Sequence, residues 1–285
     1  MVPLVMGVVN ATPDSFSDGG RALDPRDAAA IAERMVADGA AVLDVGGEST
    51  RPGASPVGVA EELARVVPVL EAVVPIAVAG GVRVSIDTRH AEVARRAVTL
   101  GATLINDISA SLWEVAADTG AGWVAMHMAG TPATMADAPE YDDVVDDVRS
   151  YLVEKAAVAR RAGVSEVWVD PGIGFGKTVA DNLALLAGLD VLVAEGFDVL
   201  VGTSRKRTLG VLTTASDARV GLRAPDDLVP PDDRFEASLA TATWAMQQGV
   251  RMVRTHDVRA HVHAAAVIAG SIPAPVPVPP TPAAA

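Results

Sequence analysis

Short apolar runs alternate eight times with longer amphipathic stretches along this chain of 285 residues. Most of the short runs are rich in β-branched residues and apolar on both faces, which is typical of parallel strands covered by helices on each side. The predicted strands are 4–9, 41–45, 82–86, 103–105, 123–126, 166–169, 198–201 and 252–253. Charged and apolar residues recur every three or four positions in the predicted helices, which are 27–37, 60–73, 91–100, 142–162, 179–186, 234–248 and 258–268.

The spacing of these units predicts one α/β domain, a (β/α)8 barrel over residues 1–270. From Asn10 to Arg254, 244 residues cover seven intervals of about 35 residues each. A doubly wound sheet usually needs fewer units, and two smaller domains need a linker that the sequence does not offer. Long loops are predicted after strands 1 and 2, and residues 213–233 are predicted to form a surface loop. The six prolines of residues 271–285 predict a flexible Pro-rich tail.

Composition narrows the classes of function. The formal net charge is −13, which argues against a general nucleic-acid binder because an acidic surface repels phosphate. The chain has no cysteine, so disulfides, thiolate nucleophiles and iron–sulfur clusters are excluded. No run of about 18 uncharged apolar residues occurs, and the first ten residues lack the basic region of a signal peptide. A cytoplasmic protein without membrane association is therefore expected.

Nearly every predicted strand ends in a polar or Gly-rich cluster. The clusters occupy residues 10–20, 44–53, 87–88, 106–107, 127, 170–177, 203–207 and 254–256. In a barrel these segments converge on one rim, where active sites are built. Four aspartates of the clusters (Asp44, Asp87, Asp107 and Asp170) together with Asn106 suit a heterocycle that bears amino and lactam N–H donors. Each aspartate taken alone is also typical of a helix cap.

Basic residues gather after strands 7 and 8, in the segment 204–207 and at Arg254 and His256. These two loops are the usual phosphate sites of eightfold barrels, so the cluster predicts a phosphate or diphosphate ligand. Lys206 also suits a Schiff base with a carbonyl substrate, and His127 suits either an acid–base or a structural role. The histidine spacing does not fit a firmly held zinc, whereas Mg²⁺ needs only one or two protein oxygens beside substrate phosphate.

Taken in order along the chain, these clusters resemble those of the dihydropteroate synthase family. The matching segments are NATPDSFSDGG from Asn10, GGESTRPG from Gly46, SIDT from Ser85, INDI from Ile105, MHMAGTP from Met126, DPGIGFGK from Asp170, SRKR from Ser204 and VRTH from Val253. The resemblance runs from about residue 5 to about residue 268. It implies a TIM barrel and a transferase of folate biosynthesis. Such an enzyme joins 6-hydroxymethyl-7,8-dihydropterin diphosphate to p-aminobenzoate and releases pyrophosphate by an SN1-like displacement. One departure is Thr208, where members of the family usually carry a larger apolar or aromatic residue.

The resemblance also implies roles for individual residues. Asp87, Asn106 and Asp170 are implied to hydrogen-bond the pterin ring, and Lys206 to contact it as well. The pterin pocket is completed by Met126, Phe175 and Arg254. The implied diphosphate site consists of Asn10, Arg51, Arg254 and His256, with Asn10 also ligating Mg²⁺. The implied p-aminobenzoate site consists of Phe16, Thr50, Arg51, Pro52 and Ser204. The implied catalytic residues are Asp18, Arg51, Asp87, Asp170, Lys206, Arg254 and His256.

The resemblance further implies closure over the substrates by the first loop, which carries Phe16 and Asp18, and by the second, which carries Arg51. It also implies a homodimer through helices on the outer face of the barrel, and inhibition by sulfonamides, which mimic p-aminobenzoate. Three alternatives stay open from the sequence: a pterin-dependent methyltransferase, a non-catalytic pterin-binding paralogue and a Schiff-base aldolase built on Lys206. The long loop at 10–20 and the basic segment 204–207 favour the synthase, because the methyltransferase chemistry needs neither.

Overall fold

Eight parallel strands close into a barrel in which each strand pairs with the next along the chain and β8 pairs with β1. The computed structural model describes residues 2–12, 24–49, 56–131, 134–135 and 141–270. Its strands are β1 Leu4–Asn10, β2 Val42–Gly46, β3 Arg83–Asp87, β4 Leu104–Asp107, β5 Gly122–Met126, β6 Val167–Asp170, β7 Asp198–Gly202 and β8 Met252–Thr255. The predicted (β/α)8 fold is therefore confirmed, while the predicted tail at 271–285 lies outside the described residues.

Helices follow the strands on the outside of the barrel. They are α1 Pro25–Ala37, α2 Val59–Ala79, α3 Ala91–Leu100, α4 Trp113–Thr119, α5 Val144–Arg161, α6 Val179–Ala187, α7 Leu189–Val193, α8 Arg207–Arg219, α9 Phe235–Gln247 and α10 Val258–Ile268. Local signals explain several of their starts. Asp143 accepts hydrogen bonds from two backbone N–H groups of the first turn of α5, and Thr178 and Asp181 form a reciprocal capping box at α6.

Three sequence predictions on the helices need correction. The loop predicted at 213–233 is wrong in its first third, because α8 continues to Arg219. The short helices α4 and α7 were not predicted, since seven and five residues are too few to show a helical period. Helix α2 continues to Ala79 through Pro68 and Pro75. Both prolines lie on its exposed side, where water can satisfy the carbonyl groups that a proline leaves without a donor.

Two apolar layers hold the barrel together, because successive side chains of a strand point to opposite faces. The outward layer packs against the helices. The inward layer fills the interior with Met6, Val42, Leu104, Val124, Trp168, Leu200 and Met252. Near the N-terminal ends of the strands, Glu166 accepts hydrogen bonds from both Nη groups of Arg83 (2.7 and 2.8 Å) and from Trp168 Nε1 (2.7 Å). Among the described residues the interior is thus filled at its lower end, so a ligand site inside the barrel falls at the C-terminal ends of the strands.

Within the described part of the chain, no helix is both long enough and apolar enough to cross a membrane.

Candidate active site

Polar side chains replace the apolar filling at the C-terminal ends of the strands. The pairing register places Asn10 beside Gly46, Gly46 beside Asp87 and Asp87 beside Asn106. On the other side of the barrel, Met126 pairs with Asp170 and Gly202 with Arg254. These residues follow the inward layer along their strands at two-residue spacing, so their side chains face the mouth of the barrel.

Arg254 is held between two carboxylates at the bottom of this mouth. Its Nε donates to Asp44 Oδ2 at 2.6 Å, and its Nη2 donates to Asp87 Oδ2 at 2.9 Å. The same Asp44 oxygen accepts a hydrogen bond from Asn106 Nδ2 at 3.0 Å. Asp44 is fully buried. It therefore fixes one cation and one amide that both face the ligand site.

Lys206 and Asp170 lie on the opposite side of the mouth. The Lys206 ammonium lies 3.8 Å from the centre of the Phe175 ring, a cation–π distance. Asp170 is buried at the end of β6, and its Oδ1 accepts a hydrogen bond from the backbone N–H of Gly172 at 2.7 Å. This contact fixes one carboxylate oxygen, and the second oxygen takes no part in it.

Burial shifts the pKa values of three ionisable groups of the mouth toward neutral pH. Desolvation raises the pKa of Asp87 to about 7, with Arg254 opposing the shift and Asp44 adding to it. Desolvation also raises the pKa of Asp170 to about 6, against the lowering effect of the Gly172 N–H. It lowers the pKa of Lys206 to about 8, while the charge of Asp170 opposes that shift. Groups with pKa values near neutral pH are typical of binding and catalytic sites.

Ser204 and His256 are brought together at the ends of β7 and β8. The Ser204 Oγ lies 2.9 Å from His256 Nδ1. The turn that carries Ser204 and Lys206 includes Arg205 in a left-handed conformation, with φ of 60°. Residues of the α9 region hold this turn: Ser238 Oγ accepts from Arg205 N (3.0 Å), and Arg234 donates to Arg205 O (2.9 Å).

Thr208, in the first turn of α8, has a polar partner in α6. It is buried, and its Oγ1 accepts a hydrogen bond from Asn182 Nδ2 at 3.0 Å. Asn182 also accepts a hydrogen bond from the backbone N–H of Gly174 at 2.7 Å. Thr208 therefore connects α8 to the loop after β6 through Asn182.

Two polar residues singled out in the sequence do not face the mouth. Asp107 points outward and accepts hydrogen bonds from Ser111 N (2.7 Å), Leu112 N (2.6 Å) and Trp123 Nε1 (3.1 Å). It is therefore a structural residue at the start of α4. His127 is buried and packs edge-on against Tyr151 at 5.0 Å, and burial lowers its pKa to about 4. A neutral, buried His127 agrees with the structural alternative.

No role was predicted for Lys177, and the fully buried Asp44 was predicted only as one of four strand-end aspartates suited to a heterocycle. Lys177 donates to three backbone carbonyls around the loop after β6, at 3.0 to 3.2 Å. Desolvation lowers its pKa to about 7, with the charge of Asp170 opposing the shift. For Asp44 the signal was present in the sequence, because its two-residue spacing from the inward Val42 points it into the barrel. For Lys177 there was no such signal, since a loop residue has no periodicity.

Five of the predicted site residues, Phe16, Asp18, Thr50, Arg51 and Pro52, lie outside the described residues. Those that the structure brings to the mouth are Asn10, Asp87, Asn106, Met126, Asp170, Phe175, Ser204, Lys206, Arg254 and His256.

Comparison with known proteins gives the same family as the sequence motifs. A family model described as pterin binding enzyme matches residues 6–256. Dihydropteroate synthase of Escherichia coli strain K12 is 43% identical over 278 residues, covering 95% of this chain and 93% of the relative.

Two solved structures superpose on the fold. One is the Yersinia pestis dihydropteroate synthase in a sulfonamide drug complex, with TM-score 0.83, 40% identity and 94% of each chain covered. The other is the Xanthomonas albilineans dihydropteroate synthase in complex with 7,8-dihydropteroate, with TM-score 0.78, 40% identity and 95% of each chain covered. The chain therefore belongs to the dihydropteroate synthase family of pterin-binding enzymes, which are transferases of folate synthesis.

Proposed function

We propose that this chain condenses 6-hydroxymethyl-7,8-dihydropterin diphosphate with p-aminobenzoate to give 7,8-dihydropteroate and pyrophosphate. The observation that carries the proposal is the arrangement of Asp87, Asn106, Asp170 and Lys206 around one barrel mouth. The edge of a pterin ring presents several N–H donors beside one carbonyl acceptor. Two carboxylates, an amide and an ammonium match that edge, because acceptors meet donors and the cation meets the carbonyl.

Charge at the mouth suits a diphosphate leaving group. Arg254 uses Nε and Nη2 for its bonds to Asp44 and Asp87. Its Nη1 takes no part in either bond and is proposed to donate to a phosphate oxygen. His256 lies at the neighbouring rim beside Ser204. In the proposed reaction the C–O bond to the diphosphate breaks, and the electron pair leaves with the diphosphate. The electron-rich pterin stabilises the CH₂ cation, which then bonds to the aniline nitrogen as that nitrogen loses a proton. The protein needs only to position the reactants and stabilise the departing anion.

Mg²⁺, which the family implies, fits a site at this end of the barrel that has few protein donors. Asn10 lies exposed at the end of β1, at a position of the strand that points inward beside the mouth. Among the described residues there is no group of three or more His, Asp or Glu that could hold a metal. A single amide oxygen suits a Mg²⁺ ion whose other ligands are water and diphosphate oxygens. When bound, the ion would neutralise charge on the leaving group.

We also propose that the chain acts as a homodimer in the cytoplasm, formed through helices on the outside of the barrel. Large apolar side chains are exposed on α8, on the segment after it and on α9, among them Leu212, Leu222 and Trp244. Large apolar side chains exposed on outer helices are typical of a protein interface when they form one patch, and we propose that these do. Sedimentation equilibrium at micromolar concentration tests this: a dimer that dissociates in Leu222→Asp supports it, and a monomeric wild-type chain contradicts it.

Pyrophosphate release from dihydropterin diphosphate tests the activity itself. We expect release to require p-aminobenzoate and Mg²⁺, with 7,8-dihydropteroate as the second product by chromatography. Lys206→Ala should lower kcat/KM by at least about a hundredfold, because it removes a charge-assisted bond to the pterin. The control Lys155→Ala, on the outer face of α5, should leave the rate unchanged. A sulfonamide should raise the KM for p-aminobenzoate, and full turnover under saturating sulfonamide would contradict the proposed second substrate.

The same assay separates the alternatives. Tight binding of the pterin diphosphate without turnover would identify a non-catalytic pterin-binding paralogue. Turnover that needs a methyl donor instead of p-aminobenzoate would identify a methyltransferase, and borohydride trapping on Lys206 with a carbonyl substrate would identify an aldolase.

A further inference from the structure

Lysine is rare in this chain, and most of the few lysines lie near the mouth of the barrel. The sequence has 23 Lys and Arg residues, of which only Lys155, Lys177 and Lys206 are lysines, so 20 are arginines. Lys155 lies on α5, with its ammonium 5.4 Å from the centre of the Tyr151 ring. The other two lysines lie in the loops at the C-terminal ends of β6 and β7, beside the mouth. A chain that uses arginine almost everywhere thus places lysine at two positions around its candidate active site.

The contacts of Lys177 explain why an ammonium is needed there. Its Nζ lies 3.2 Å from His127 O, 3.0 Å from Gly172 O and 3.2 Å from Phe175 O. An ammonium has three donors in a tetrahedral arrangement, and each meets one carbonyl. Within the described ranges, Lys177 has no ion pair, so these carbonyls are its direct partners. A guanidinium is planar and longer, and it cannot converge on three carbonyls around a single point.

The three carbonyls belong to two different loops. His127 follows β5, whereas Gly172 and Phe175 lie in the loop after β6. The two loops approach closely, since a Cβ added at Gly172, where φ is +66°, would lie 1.9 Å from His127 O. Lys177 therefore connects the end of the loop after β6 to the start of the same loop and to the residue that follows β5.

The folded loop carries two groups of the ligand site. The N–H of Gly172 donates to the Asp170 carboxylate, and the ring of Phe175 lies against the Lys206 ammonium. Both contacts come from residues whose own backbone carbonyl accepts a hydrogen bond from Lys177. Loss of the Lys177 ammonium would remove one donor from each of the three carbonyls, and Gly172 O would keep the Phe175 N–H at 3.1 Å. The backbone between Asp170 and Phe175 would then be held less firmly.

We propose that Lys177 is a positioning residue for the pterin pocket: its ammonium sets the path of residues 170–177 and thereby holds Asp170 and Phe175 against the ring site. The proposal rests on the proposed function, and it concerns binding of the pterin substrate alone. Lys177 does not touch the substrate and takes no part in bond breaking. Its effect is therefore predicted on the KM for the pterin diphosphate, with little effect on the KM for p-aminobenzoate.

Three variants separate positioning from charge and from general stability. Lys177→Met keeps the length of the side chain and removes its donors. Lys177→Arg keeps the charge and changes the donor geometry. Lys155→Met is the matched control, because it removes the one lysine that lies away from the mouth. We expect Lys177→Met to raise the KM for dihydropterin diphosphate about tenfold or more while kcat stays within about threefold. Lys177→Arg should show the same increase, and Lys155→Met none.

Two results would overturn the proposal. One is an unchanged KM for the pterin diphosphate in folded Lys177→Met. The other is full recovery of that KM in Lys177→Arg, which would mean that charge alone matters. Calorimetric titration with dihydropterin diphosphate gives the same comparison as a Kd, so an absence of turnover would refute the proposed function without deciding the role of Lys177.

A measurement on the wild-type chain needs no substitution. With three lysines, [¹⁵Nζ]lysine labelling gives at most three side-chain ammonium signals. At a pH below its pKa of about 7, we expect the Lys177 signal to persist because its three protons are hydrogen-bonded, and to shift when the pterin diphosphate binds. The Lys155 signal should not shift. A Lys177 signal that exchanges as fast as that of Lys155 and ignores the ligand would contradict the proposed contacts.

Discussion

The substitution Asp44→Ala removes one carboxylate on which two groups of the mouth depend. Asp44 is fully buried, and its Oδ2 accepts from Arg254 Nε at 2.6 Å and from Asn106 Nδ2 at 3.0 Å. Alanine leaves the guanidinium with Asp87 as its remaining carboxylate partner, at 2.9 Å. It also leaves the amide of Asn106 without this acceptor. The variant should therefore lose stability and should bind the pterin less well.

The magnitude follows from the kind of pair that is broken. Removal of one partner from a buried ion pair costs about 3–5 kcal/mol. Asp44 also repels Asp87 and raises its pKa, so its removal relieves part of that repulsion and the lower end is expected. A loss of about 3 kcal/mol corresponds to about 6–12 °C in Tm for a chain of roughly this size. Asp44→Asn keeps the shape and one acceptor, and it should cost about half as much, close to one charge-assisted hydrogen bond.

Urea unfolding followed by circular dichroism measures these differences. The matched control is Ser85→Ala, because Ser85 pairs with Asp44 in the strand register, is equally buried, and its Oγ has no partner among the described residues. Loss of an unpaired hydroxyl should leave stability unchanged or slightly raise it. In the double variant Asp44→Ala with Arg254→Met, the loss should be smaller than the sum of the two single losses, because both substitutions break the same Asp44–Arg254 pair.

Either of two results would refute the role given to Asp44. One is a free energy of unfolding for Asp44→Ala within about 1 kcal/mol of wild type, since that is below the cost of any buried ion pair broken on one side. The other is an equal loss in Ser85→Ala, which would assign the effect to packing rather than to charge.

Three further predictions concern the scaffold around the mouth. Gly172→Ala should destabilise by more than about 2 kcal/mol, because its Cβ meets His127 O at 1.9 Å. Gly163→Ala, which also has φ above zero but nothing within 4 Å, should cost about 1 kcal/mol, and equal losses in urea would contradict this reasoning. Burial lowers the pKa of His127 from 6.5 to about 4, so unfolded chains take up its proton first as the pH falls. Stability should therefore fall between about pH 6.5 and pH 4 by up to about 3 kcal/mol, and that part should vanish in His127→Phe; parallel curves for the two proteins would refute it. Ser238→Ala removes the acceptor of the Arg205 N–H and should cost about 1–3 kcal/mol, whereas Ser238→Thr keeps the hydroxyl; no loss in the alanine variant would contradict the role given to this contact.

Much of the fold could be predicted because its signals are local. The eight apolar runs all became strands, and each predicted boundary lies within a few residues of the observed one. Helix α8 was missed because its small and polar residues leave no clear apolar stripe, so residues 213–219 looked like the loop that follows them. The predicted helix 60–73 included Pro68 and ended before Pro75, whereas α2 continues through both prolines to Ala79. Their exposed side is a property of packing, which a local pattern does not show.

The candidate site was predictable in its membership but not in its pairing. Asp87, Asn106 and Asp170 were found because polar residues at strand ends converge in any barrel. Asp44 and Asp107 also end predicted strands and looked alike in the sequence, but their side chains point to opposite faces of the barrel wall. Asp44 continues the inward layer of β2, whereas Asp107 follows the inward Asn106 and so points to the helices.

The sequence by itself determined the alternation of strands and helices, the order of the clusters and the kind of chemistry that their residue types allow. Only the tertiary structure decided that Arg254 joins Asp44 and Asp87, partners 210 and 167 residues away along the chain. It also decided that burial brings the pKa values of Asp87, Asp170 and Lys206 close to neutrality. The physical reason is that periodicity and capping act between residues a few positions apart. Register, burial and charge coupling exist only once β8 has closed against β1.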